Sequence, residues 1–128
     1  MNLILKPEQV DIYNIKYHFD EHVNHHDMIN TNIVYRDKLF TLNSIYIVIK
    51  LNSNNVNKMN YVTKTDLSQL INIEYNMLQN TKNKYPIYNI KKRLFTIIKQ
   101  QTKLTNIYIN ITGIWENNTQ CGLIYTIT

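Results

Sequence analysis

The stretch LTNIYINITGIWENNTQCGLIYTIT, residues 104–128, decides the fold. Asn106, Tyr108, Asn110 and Thr112 fall on one side of an extended chain and Ile107, Ile109 and Ile111 on the other, the two-residue period of a half-buried strand. After the polar turn ENNTQ, Leu123, Tyr125 and Ile127 share one face, opposite Ile124, Thr126 and Thr128. The pattern predicts an antiparallel hairpin with one oily face. Its polar face, carrying Tyr108, Asn110 and Thr112, is either solvated sheet or a binding surface. Strict alternation puts Trp115 in the core beside the isoleucines. Gly113, a glycine inside a strand, marks a candidate bulge that would swing Trp115 to the other face. Tyr108 is therefore the aromatic expected at the surface.

Working back from the hairpin, the segment before it has the most unusual charge. No acidic residue occurs between Glu74 and Glu116, whereas Lys82, Lys84, Lys91, Lys92, Arg93, Lys99 and Lys103 are all basic. These are half of the chain's 14 cations, so the formal net charge of +5 is concentrated in one region. Ile90, Leu94, Ile97 and Ile98 fit one helical stripe, with Lys91, Lys92, Lys99 and Lys103 near the other side, and Pro86 places the start of this second helix after itself. Tyr85, Tyr88 and Phe95 interleave the cations. Cations that follow phosphates, together with aromatics that stack on bases, are the equipment of single-stranded nucleic-acid binding. The competing reading is a solvated helix face in a Lys-rich chain. The candidate binding set is Lys82, Lys84, Tyr85, Tyr88, Lys91, Lys92, Arg93, Lys99, Lys103 and Tyr108.

A first helix precedes this segment. Thr65 or Asp66 is placed to cap it, Leu67, Leu70, Ile71, Glu74, Met77 and Leu78 recur at helical spacing, and the helix is expected to end near Asn80. Its stripe is expected to pack on the sheet. Upstream, residues 45–51 form the strongest internal strand, dense in β-branched residues, and the Asn- and Lys-rich residues 52–60 read as a loop. Residues 31–35 and 39–42 read as strands around a turn at Arg36, Asp37 and Lys38. Residues 10–19 alternate and read as a strand, and residues 1–5 as a short edge strand ended by Pro7.

His18, His22, His25 and His26 cluster with Asp20, Glu21 and Asp27. On a helix His18, His22 and either His25 or His26 would share a face and, with a carboxylate, could hold zinc; as a polar connection between strands the histidines would be solvated. The second reading is preferred, and no metal or other cofactor is expected. Nor is an enzyme. Gly113 and Gly122 are the only glycines, which excludes a glycine-rich phosphate loop, and the acids are scattered. Cys121 falls on the expected core face and reads as a buried thiol rather than a nucleophile.

With 128 residues and 44% hydrophobic content, the chain is expected to form one domain with its own core. No apolar run approaches the roughly 20 residues that cross a bilayer. MNLILKP is too short an apolar run for a signal peptide, and a single cysteine agrees with an intracellular setting. The richness in Asn, Ile, Lys and Tyr and the lack of Ala reflect A- and T-rich codons. The order of strands, one helix, then two strands predicts an α+β fold built on a small antiparallel β-barrel or sheet, OB-like, with one or two helices and the C-terminal hairpin.

The run Ile111-Thr-Gly-Ile-Trp-Glu116 followed by Gly122-Leu-Ile-Tyr125 resembles the C-terminal signature of small proteins of large nucleocytoplasmic DNA viruses. The pattern Tyr-x-x-Lys-Leu-Phe at residues 35–40, before a long strand, is similar as well. Those proteins in turn resemble viral single-stranded DNA-binding proteins. The resemblance implies a viral protein of the host cytoplasm or the virion. The acid-free basic span and the element order lead to the expectation of a protein that binds single-stranded nucleic acid or, as the alternative, of a non-enzymatic scaffold that meets an acidic viral protein or a second copy of itself.

Overall fold

The computed structural model describes residues 3–18, 28–51, 60–79, 81, 84–100 and 106–128. Among them the chain forms β1 (Ile4–Leu5), β2 (Ile15–His18), β3 (Ile29–Arg36), β4 (Thr41–Leu42) and β5 (Ile45–Ile49). These are followed by α1 (Lys64–Leu78), β6 (Tyr85–Pro86), α2 (Ile90–Gln100), β7 (Ile107–Glu116) and β8 (Gln120–Ile127). The class is α+β: two helices and one mixed, open sheet that closes the chain with the expected hairpin. The described pairings are compatible with an OB-like arrangement without closing a barrel.

β7 is the hub of the sheet because its isoleucines reward burial on one face while its whole backbone can pair on both edges. Its first half, from Ile107 to Ile111, pairs with β5; its second half, from Gly113 to Glu116, pairs with β3. β8 lies along the other edge, and β6 adds parallel to β8. β1 runs parallel to β5, and β2 and β4 pair with β3.

The partner switch coincides with a bulge. Ile111 faces Tyr125 and Gly113 faces Ile124, so Thr112 is the extra residue on β7. Beyond it the alternation reverses, and Ile114 enters the core while Trp115 moves to the opposite face. At the switch the backbones of β7 and β3 approach so closely that a Cβ on Gly113 would collide with the Thr31 carbonyl oxygen. Only glycine fits there. Across the hairpin, Trp115 pairs with Gly122, where a Cβ would lie 2.6 Å from the indole Nε1.

Both helices cover the isoleucine face. α1 buries Leu70, Ile73, Glu74, Met77 and Leu78 and packs against β8 and α2; α2 buries Ile90, Leu94 and Ile98. They join Ile45, Ile47, Ile49, Ile107, Ile109, Ile111, Leu123 and Tyr125 in a single core. Cys121 is buried in the same cluster, its Sγ 2.9 Å from the Thr81 hydroxyl. No described helix is long and apolar enough to cross a membrane.

Three expectations are corrected locally. The first part of residues 10–19 is a 3-10 turn, Ile12–Asn14, because the Asp11 carboxylate accepts the Tyr13 amide at 3.0 Å and turns the chain before β2 begins. α1 is capped by Thr63 rather than Thr65 or Asp66: the Thr63 hydroxyl accepts the Asp66 amide at 3.2 Å. β3 starts earlier than residue 31, since pairing with β7 recruits Ile29 and Asn30. α1 ends at Leu78 with Gln79 as its C-cap, just before the expected end near Asn80. The loop at 52–59 and all of the histidine cluster except His18 lie outside the described residues.

Candidate nucleic-acid interface

The candidate site lies where α1 meets the start of α2. A helix leaves its first amides without intrahelical partners. Here a residue from the preceding helix supplies the acceptor. The Glu74 carboxylate accepts the Asn89 amide at 3.2 Å and the Ile90 amide at 3.3 Å. Glu74 is only 3% exposed; burial pushes its pKa above the ordinary carboxylate value, and the two amides oppose that rise. The one carboxylate between Asp66 and Glu116 is thus withdrawn from the surface.

What remains outside is basic. Ile90, Leu94 and Ile98 recur every four residues and turn one side of α2 inward, leaving Lys91, Lys92, Arg93 and Lys99 exposed. Among the described residues, Lys91, Lys92 and Lys99 meet no carboxylate. Arg93 is different, since its guanidinium carbon lies 5.2 Å from the centre of the Tyr125 ring. Tyr125 in turn donates to Asn89 Oδ1 at 2.6 Å, and burial, partly offset by Arg93, pushes its phenol pKa up. Arg93 is therefore held to the sheet, whereas its neighbours Lys91 and Lys92 stand exposed without such a contact.

Two tyrosines flank this basic start. Tyr75 on α1 and Tyr88 just before α2 stack with ring centres 6.1 Å apart and planes 28° apart, and remain 51% and 47% exposed. The Tyr88 hydroxyl accepts from Gln79 Nε2 at 3.2 Å, and desolvation is the main cause that raises its pKa. Tyr85 on β6 is more exposed still, with its amide bound to the Thr119 carbonyl at 2.8 Å.

The remaining expected site residues separate from this cluster. Lys84 donates to the carbonyls of Asn117 at 2.7 Å and Asn118 at 3.2 Å, which ties it to the β7–β8 turn. Tyr108 lies on the opposite face of the sheet, half-buried and 5.9 Å from the ring of Tyr46. The β7 register explains this: Ile107 and Ile109 point to the helices, so Tyr108 points away. Lys82 and Lys103 lie outside the described residues. Conversely, Tyr75 and Gln79 join the site without having been singled out. Tyr75 follows the inward Glu74 by one position, and that helical offset was the available signal.

Among the described residues no group of three or more His, Cys, Asp or Glu side chains is arranged to hold a metal. Comparison of the chain with family models, with curated proteins and with solved structures gives no match.

Proposed function

We propose that this is a non-enzymatic protein that binds single-stranded nucleic acid through the exposed start of α2, with Lys91 and Lys92 on phosphates and Tyr88 and Tyr75 against bases. The observation that carries the reading is the burial of Glu74 on the α2 amides. It leaves a surface of cations and stacked aromatics with no carboxylate from residues 67 to 115 on the outside. Such a surface attracts a polyanion, and its exposed rings favour strands whose bases are not already stacked in a duplex. The viral setting implied by the GIWE signature, in the host cytoplasm or the virion, belongs to the same proposal.

Salt-titrated binding to single- and double-stranded DNA and RNA tests it. Affinity should fall with salt, and the double variant Lys91→Glu/Lys92→Glu should weaken binding and reduce the log–log salt slope by about 0.7 per lost single-strand phosphate contact. Single-strand binding that ignores both salt and this variant overturns the proposal. Arg93 is left intact in that variant because its contact with Tyr125 makes it structural as well.

A second reading, a scaffold that meets a viral protein or a second copy of this chain, draws on the other face of the sheet. There Ile4 is 45% exposed beside Tyr46, and Tyr46, Tyr108 and Trp115 are only half-buried. It expects a defined oligomer by sedimentation and no retention on single-stranded DNA.

A further inference from the structure

Next to the tyrosine pair lies a cleft of about 350 Å³ between the Ile12–Asn14 turn, β2 and α1, lined by Ile12, Tyr13, Ile15, Tyr17, Asn76 and Gln79. Its volume falls within the roughly 300–1,000 Å³ of small-molecule sites. Two phenol rings, two branched aliphatic side chains and two amides line it, and none of the six carries a formal charge. Rings and aliphatics suit the flat face of a nucleobase; of the two amides, Asn76 already donates through Nδ2 to the Asn72 carbonyl at 2.8 Å and to Asn72 Oδ1 at 2.9 Å, so Gln79 is the one that can meet the base edge.

Two connections join the cleft to the basic surface. Gln79 is shared, because it lines the cleft and donates through Nε2 to the Tyr88 hydroxyl. That bond engages one amide hydrogen, leaving the Gln79 carbonyl and second N–H without a partner among the described residues. Tyr88 stacks on Tyr75 and precedes Lys91 by three positions. At the other end, Lys16 reaches back to donate to the Tyr13 carbonyl at 3.2 Å, which holds an exposed ammonium beside Tyr13. Lys16 thus adds a cation at the Tyr13 end of the cleft, opposite the end where Gln79 meets Tyr88.

We infer that this cleft receives one unstacked nucleobase of the bound strand, sandwiched against Tyr13 and Tyr17 and read at its edge by Gln79, with the flanking phosphates on Lys16 and on Lys91 and Lys92. The inference rests on the single-stranded nucleic-acid reading. It adds an enclosed site for one base to a surface that otherwise offers cations to phosphates and the open Tyr75–Tyr88 pair to bases. A duplex cannot use the site, because its bases remain stacked and paired inside the helix.

Tyr13 is 82% exposed, so Tyr13→Ala removes a ring from the cleft without opening the core. The test measures binding of the full chain, Tyr13→Ala, and Lys91→Glu/Lys92→Glu to a labelled oligothymidine and to an abasic oligomer of equal length. Tyr13→Ala should weaken oligothymidine binding roughly 5- to 150-fold, the loss of one base stack, with an unchanged salt slope and no loss on the abasic strand. If Tyr13→Ala binds oligothymidine like the parent while Lys91→Glu/Lys92→Glu loses it, the cleft is excluded and the charged surface stands. If the parent binds neither strand, the surface and the cleft fall together.

Discussion

The carboxylate of Glu74 lies 3.3 Å from the amide nitrogen of Ile90, so one helix caps the next across a core boundary. The contact fixes where α2 begins and withdraws the only acid of residues 67–115 from the surface. Stability and surface charge are coupled through one side chain.

Replacing Glu74 therefore has two separable outcomes. Glu74→Ala leaves the Asn89 and Ile90 amides without their acceptor and opens a cavity, and should cost about 2–4 kcal/mol in urea unfolding. Glu74→Gln keeps an acceptor and should cost far less. Because burial raises the folded-state pKa above the ordinary 4.5, the group favours folding most below that value, and the advantage is lost as pH rises through the raised pKa. The Gln variant has no charge to desolvate, so its stability relative to the parent should improve as pH is raised through the carboxylate range. A difference that is flat with pH would remove the buried charge from the account.

Gly113 and Gly122 should respond unequally to Ala. At Gly113 the added Cβ meets the backbone carbonyl of Thr31, which cannot move without separating β7 from β3, and the cost should be about 1–3 kcal/mol or more. At Gly122 it meets the Trp115 ring, a side chain that can turn away. That variant should lose less stability but shift the emission of the single tryptophan, measured in the folded protein.

Thr31 is 2% exposed and its hydroxyl meets no partner among the described residues. Thr31→Val keeps the shape, removes the unpaired hydroxyl and suits a strand. It should raise stability by about 1 kcal/mol, read from the urea midpoint.

Tyr125 joins the hairpin to the start of α2 through Asn89 and Arg93. Tyr125→Phe should cost about 1 kcal/mol by leaving Asn89 Oδ1 without its donor. Arg93→Met should cost about 0.5–1 kcal/mol through loss of the ring contact. Phe keeps the ring beneath Arg93, so the double variant should cost about the sum of the two; a clear shortfall would show that the hydroxyl, and not the ring alone, holds Arg93.

Local periodicity determined the elements. The two-residue alternation of Ile107, Ile109 and Ile111 and of Leu123 and Tyr125 gave the final hairpin and its buried face. The four-residue recurrence of Ile90, Leu94 and Ile98 gave α2 and exposed Lys91 and Lys92. These patterns are legible because apolar burial acts on each side chain according to its own place in a strand or helix. Residues 10–19 misled for the same reason: alternation was read through a turn set by the Asp11 side chain.

Only the tertiary structure decided how the elements combine. Glu74 fitted the stripe of α1 in the sequence, but its partners are amides fifteen and sixteen residues away. Tyr108 and the basic helix are near in sequence and on opposite faces of the sheet, because one strand's parity separates them. The switch of β7 from β5 to β3 at Gly113 depends on three strands meeting, and it turns Trp115 out of the core that strict alternation had assigned to it. Hydrogen-bond register and backbone approach between distant segments carry no local periodicity, so they become visible only when the segments are brought together.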